Sequence, residues 1–278
     1  MKVAVASGKG GTGKTTLSVA LALVAPQPVM LLDCDVEEPN GHIFLTLEAM
    51  ETETVTVAVP EIDAATCRAC GECMRICRFN AIISLGAKAL VFPELCHSCG
   101  GCARVCPSGA ISEIPRRIGT IDSGIAGHVT LVQGRLDVGN AMATPLIRAV
   151  KRHADRGVAT IIDCPPGTSC PMIAAVRGAD FVILVTEPTP FGLHDLTLAV
   201  ETVRTLAIPF GVIVNRADTG DSRVADYCSH EEIPILLNIP ENRRAAEAYS
   251  RGESILSAMP DLTAALRDIW RRIGGGEA

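Results

Sequence analysis

Eight cysteines in two runs and one glycine-rich loop carry the chemistry legible in this sequence. Cys67, Cys70, Cys73 and Cys77 follow the spacing C-x2-C-x2-C-x3-C, and Cys96, Cys99, Cys102 and Cys106 repeat it about thirty residues later. In runs this tight, three thiolates hold one iron-sulfur cube and the fourth reaches across to another. The spacing therefore predicts Cys67, Cys70, Cys73 and Cys106 on one [4Fe-4S] cluster, and Cys96, Cys99, Cys102 and Cys77 on a second. Zinc is the competing ion, since C-x2-C pairs also serve it. Gly71, Gly100 and Gly101 leave room for backbone to wrap a cube closely. Pro107 follows the second run, but Arg78 stands at the matching place in the first, where it could alter hydrogen bonding around that cluster. His97, between two of these cysteines, reads as a solvated loop residue or as a tuner of the neighbouring cluster.

The second constellation lies at the N-terminus. Gly8, Gly13, Lys14 and Thr15 satisfy G-x-x-x-x-G-K-[ST]. Backbone N–H groups of Gly8 to Thr16, with Gly10, Gly11 and Thr12 between, would close around phosphate oxygens; Lys14 would reach the β and γ phosphates and Thr15 a Mg²⁺. Lys9 adds a second lysine inside the loop.

These residues need a scaffold that presents strand ends and loops on one edge. "KVAVAS" (Lys2–Ser7) reads as a strand before the loop, with a helix starting near Lys14. "PVMLLDCD" ends a second buried strand in Asp33 and Asp35, and "VATIIDCPPG" ends another in Asp163. Further strands are expected at Glu53–Val59, in "HVTLVQG", at Asp180–Pro188 and Pro209–Arg216, and near Ile233, with helices at Met142–His153 and Asp195–Leu206 and more closing the chain. Apolar strands alternating with helices imply βαβ units and a mostly parallel sheet. The cysteine segment interrupts that pattern. The expected organisation is an α/β P-loop NTPase domain at 1–59 and 118–278, with a small α+β domain inserted at 60–117.

The "KGGTGKT" form of the loop, known as a deviant Walker A, resembles that of the MinD/ParA/nitrogenase-iron-protein group of P-loop ATPases. With "DVEEPN", "DCPPGTSC" and "VTEPTPFGLHDL", the whole chain resembles MinD-superfamily ATPases carrying an inserted bacterial-type ferredoxin domain, neighbours of the Mrp cluster carriers. The resemblance implies ATP and Mg²⁺ as cofactors beside two [4Fe-4S] clusters, and a homodimer formed on ATP binding, with Lys9 reaching the partner's nucleotide. It implies that Asp163 holds Mg²⁺ through water, with Gly167 in switch II, that Asp35 orients the attacking water, and that Asp33 supports Asp35. Asn215, Arg216 and the loop at Pro240 fall where the group contacts adenine. Cys170 falls near a cluster ligand of the nitrogenase iron protein, though a buried thiol at a helix start is the plainer reading. The C-x-x-C by which Mrp-type carriers bridge a dimer has no counterpart outside the insert.

Hydrophobic residues make up 48% of the 278, enough for a substantial core, and the net charge of -6 offers no overall basic field for nucleic acid. Prolines and charges interrupt every apolar run before membrane-spanning length. Twelve cysteines with tandem spacing suit a cytoplasmic metal-binding protein better than a disulfide framework; Cys34, Cys164, Cys170 and Cys228 are scattered.

Three functions follow. The first is an ATPase whose nucleotide-driven dimer switch acts on two clusters, for electron transfer or metallocluster assembly, with an unidentified redox or metalloprotein partner. The second is a MinD/ParA-like positioning ATPase with structural clusters; its support is the amphipathic "DLTAALRDIWRRIG", which could lie on a membrane or pack on its own domain. The third is a ferredoxin-like electron carrier with a regulatory nucleotide site.

Overall fold

The computed structural model describes residues 1–25, 28–86, 88–155 and 157–274. Its strands are β1 (Lys2–Ala6), β2 (Val29–Asp33), β3 (Glu48–Ile62), β4 (Ile82–Leu85), β5 (Lys88–Val91), β6 (Ile111–Ala126), β7 (Val129–Leu136), β8 (Ala159–Asp163), β9 (Phe181–Thr186), β10 (Phe210–Asn215) and β11 (Ile235–Ile239). The α-helices are α1 (Lys14–Val24), α2 (Glu72–Ile76), α3 (Gly101–Val105), α4 (Ala143–Arg152), α5 (Cys170–Val176), α6 (Pro190–Thr205), α7 (Arg223–His230), α8 (Arg243–Ser250), α9 (Ile255–Ala258) and α10 (Leu262–Ile273). The fold divides into two compact units.

The first unit comprises Met1–Glu53, Ile121–Arg135 and Ile147–Ala278. Its sheet has the order β11-β10-β9-β1-β8-β2-β7, extended by β6 and β3. From β11 to β7 the pairings are parallel. Near-continuous apolar runs make these strands, because helices cover both faces and leave no side for water. Parallel pairing also puts the C-terminal ends of β1, β2, β8, β9 and β10 at one edge, so Asp33 and Asp163 lie opposite each other in register.

Helix α10 settles one expectation. Leu262, Leu266, Ile269 and Trp270 are buried in the core with Leu17, Leu21 and Val24 of α1, and the Trp270 indole N–H donates to the Leu21 carbonyl at 3.0 Å. Its apolar face is spent on its own unit, the plainer of the two readings of that stretch and not the membrane-surface one. Among the described residues, no helix is long and apolar enough to cross a membrane.

The second unit comprises Thr54–Thr120 and Leu136–Leu146. Residues 136–146, which the sequence pattern assigned to the ATPase, join it because Arg117 pairs with Asp137 at 2.9 Å and Asp137 donates its N–H to the Ile118 carbonyl. The unit contains the β4–β5 hairpin, with Ile82 opposite Val91, and the mutually packed α2 and α3. Each short helix begins after a left-handed glycine, Gly71 or Gly100. Cys73, Ile82 and Cys102 form one of its buried clusters.

Two elements exceed the sequence pattern. β3 starts at Glu48, before the alternating stretch, and β6 runs from Ile111 through Pro115 and a glycine-rich segment where local propensity for strand is low. α6 starts at Pro190, five residues earlier than expected, because Thr189 caps it by accepting the Gly192 N–H at 3.0 Å.

Candidate functional site

The glycine loop turns between β1 and α1 with Gly11 and Gly13 at positive φ, 78° and 96°. Gly8 is required for a different reason: a Cβ there would lie 2.2 Å from the Asp195 carbonyl of α6, so any side chain would push α6 off the loop. Asn215, at the end of β10, donates from its amide to the Thr12 carbonyl at 2.9 Å and so ties the loop to the far side of the site. The buried Thr12 hydroxyl has no partner among the described residues. Lys14 is buried, with its Nζ 3.5 Å from the Lys9 carbonyl.

Three carboxylates gather at the adjoining strand ends. Asp33 accepts the backbone N–H groups of Asp35 (3.1 Å), Asn40 (3.0 Å) and Gly41 (2.9 Å), so it braces the loop that carries Asp35. Burial, with Asp163 beside it, raises Asp33 well above the usual carboxylate range. Burial and then the Asp163 charge lift Asp35 to about 7 against the pull of Lys14. Burial lifts Asp163 to about 6, opposed by Thr15, Lys14 and Ser18. Ser18 donates to Asp163 Oδ1 at 3.0 Å, while Oδ2 is buried without a partner. Clustered, desolvated anions with an orphaned oxygen suit a divalent cation and its water shell, so the donor set fits Mg²⁺.

An open cavity of about 470 Å³ is lined in part by Gly10, Gly11, Gly13, Lys14, Thr15, Thr16, Asp35, Asn215, Arg216 and Pro240. Gly8, Lys9, Thr12 and Asp163 lie outside that lining. Lys9 instead pairs with Glu187 at 3.4 Å, and the other Glu187 oxygen accepts from Arg216 at 3.1 Å; Arg216 also meets Glu241 at 3.0 Å. Glu187 was not anticipated, although it follows β9 at the edge where Asp33 and Asp163 stand, which is where such sheets place ligands. Ser18 was also missed, one helical turn beyond the loop. Cys170 is exposed at the start of α5.

In the second unit, the thiols group crosswise. One small pocket is lined by Cys67, Cys70, Cys73 and Cys106; another by Cys77, Cys96, Cys99 and Cys102. Each takes three cysteines from one run and the last cysteine of the other. Backbone N–H groups point at the sulfurs: Ala81 to Cys77 and Ala110 to Cys106, both 3.3 Å, and Ser98 to Cys96 at 3.4 Å. The Ser108 hydroxyl lies 3.6 Å from Cys106 Sγ and is the main cause holding that thiol below its ordinary value. Burial raises the Cys73, Cys96 and Cys102 thiols. Phe79 and His97 stack at 3.7 Å beside the Cys77 cavity. Among the described residues, no three His, Cys, Asp or Glu groups converge on a point for one metal ion. Two sets of four thiols form a donor set that suits soft, thiolate-bound metal centres.

The profile of the CobQ/CobB/MinD/ParA nucleotide binding domain matches residues 3–255. An uncharacterised protein of Methanocaldococcus jannaschii is 33% identical over 246 residues, 87% of each chain. An iron-sulfur cluster carrier protein of Aquifex aeolicus is 26% identical over 277 residues, covering 93% of this chain and 62% of its own length. The septum site-determining protein MinD of Pyrococcus horikoshii, solved with Mg-ADP, superposes with a TM-score of 0.58 at 19% identity over 100% of this chain and 98% of its own, a likeness of fold.

Proposed function

The chain belongs to the CobQ/CobB/MinD/ParA nucleotide-binding family and is a P-loop ATPase, and on that premise we propose that it couples a nucleotide-driven homodimer switch to two [4Fe-4S] clusters, for electron transfer or metallocluster assembly. The observation that carries this reading is the crosswise grouping of eight thiols, four to each of two pockets. The sequence likeness to an iron-sulfur cluster carrier adds weaker support.

In this reading the loop N–H groups and Lys14 bind the β and γ phosphates, and Asn215, Arg216 and Pro240 flank the base. Thr15 and Asp163 hold Mg²⁺, with the free Oδ2 of Asp163 accepting from one of its waters. Asp35, braced by Asp33, takes a hydrogen bond from the attacking water and orients it; a carboxyl near pH 7 can also take its proton. Lys9 serves the partner subunit's nucleotide, which requires it to leave Glu187. The clusters, when bound, supply one-electron storage. The eight cysteines ligate them, and the N–H groups of Ala81, Ser98 and Ala110 stabilise thiolate charge.

Anaerobic purification with iron and sulfide analysis, joined to ATPase assays with and without dithionite, tests this function. Iron and acid-labile sulfide together with turnover that responds to reduction support it; colourless, zinc-loaded protein overturns it. A MinD-like positioning ATPase retains the fold likeness as its support, but α10 no longer argues for it.

A further inference from the structure

The two cysteine runs form an internal repeat offset by 29 positions, so residues beside the thiols of one cavity have counterparts beside those of the other. The Ala81 and Ala110 N–H contacts are one matched pair. The serines break the match. Ser98 lines the Cys77, Cys96, Cys99 and Cys102 cavity, and its Oγ is shut off from solvent with no hydrogen-bond partner. Its counterpart is Ala69, with almost the same left-handed backbone, φ 51° against 53°. In the other cavity the hydroxyl comes instead from Ser108, in contact with Cys106, and the counterpart of Ser108 is Phe79.

An iron-bound thiolate or sulfide has no proton to give, so a hydroxyl beside it can only donate. Such a bond grows stronger as the cluster gains negative charge on reduction, and therefore raises the reduction potential. Resting on the cluster reading above, we propose that each cluster has its own tuning hydroxyl: Ser98 donates into the Cys77, Cys96, Cys99 and Cys102 cavity, Ser108 donates to Cys106 in the other, and each raises the potential of one cluster alone. Both are positioning residues, acting through hydrogen bonds rather than by ligation.

The repeat supplies the test. Ala69 shows that alanine fits this backbone, so Ser98→Ala preserves the fold, and Ala69→Ser places a hydroxyl at the matching site of the other cavity. Full-length protein, prepared anaerobically and assayed for iron and sulfide, is poised at a series of potentials and read by electron paramagnetic resonance. Ser98→Ala should move one electron's worth of reduction to lower potential and leave the other in place. Ser108→Ala should lower the other, and Ala69→Ser should raise the one that Ser108→Ala lowers. Full iron and sulfide with potentials unmoved by Ser98→Ala, or Ser98→Ala and Ser108→Ala moving the same step, overturns the proposal while sparing the clusters. Absence of iron and sulfide from wild-type protein overturns the cluster reading itself.

Discussion

Replacing Asp35 with asparagine should stabilise the nucleotide-free protein and stop its chemistry. Folding carries Asp35 from an ordinary value near 3.8 to about 7, because burial and Asp163 disfavour its charge. An acid whose native pKa is raised binds more protons folded than unfolded, so stability falls as pH climbs between those two values. Three units at 1.36 kcal/mol each give about 4 kcal/mol; with the carboxyl partly open to solvent and sharing its charge penalty with Asp163, half of that, about 2 kcal/mol, is the working figure. Asp35→Asn should therefore match wild type near pH 4 and exceed it by about 2 kcal/mol at pH 8 without Mg²⁺. Trp270 is the sole tryptophan and is buried in the ATPase unit, so its fluorescence during urea unfolding reports that unit. Saturating Mg-ATP should shrink the gap by neutralising the wild-type carboxylates. Equal stability at pH 8, or a gap that does not change with pH, would refute the electrostatic argument.

Lys14→Ala should lower ATP turnover by about 10²-fold or more, measured by phosphate release, since it removes a preplaced charge from the phosphate cradle. Glu187→Gln frees Lys9 and weakens the hold on Arg216; stability should change by about 1 kcal/mol at most, and light scattering should show the ATP-dependent dimer forming at lower protein concentration. Leu266→Ala, fully inside the core, should cost about 2–5 kcal/mol of ATPase-unit stability, and wild-type protein with ATP should not pellet with liposomes.

Features encoded in a few consecutive residues were legible. The glycine loop, the carboxylates closing β2 and β8, and the cysteine runs each declare a local backbone path, and local geometry follows from local residue types. Glu187 with Lys9, and Ser18 with Asp163, join residues 178 and 145 positions apart; only the stacking order of strands brings them together, and no spacing records it. β6 failed to register for a related reason. Its proline, glycines and charges argue against a strand, and tertiary pairing overrides that preference.

The second unit also shows why stability alone cannot separate structural clusters from working ones. One of its buried clusters is Cys73, Ile82 and Cys102, with Ile62, Val91 and Ile111 packed against them. On the cluster reading these thiols are ligands as well as packing residues, so metal binding and the local order of this segment are linked. Loosening of the cysteine segment on removing iron would then follow whether or not electrons ever pass through it. A nucleotide-dependent potential is the observable that only a coupled switch produces, because reciprocal linkage between the two sites requires each to sense the state of the other.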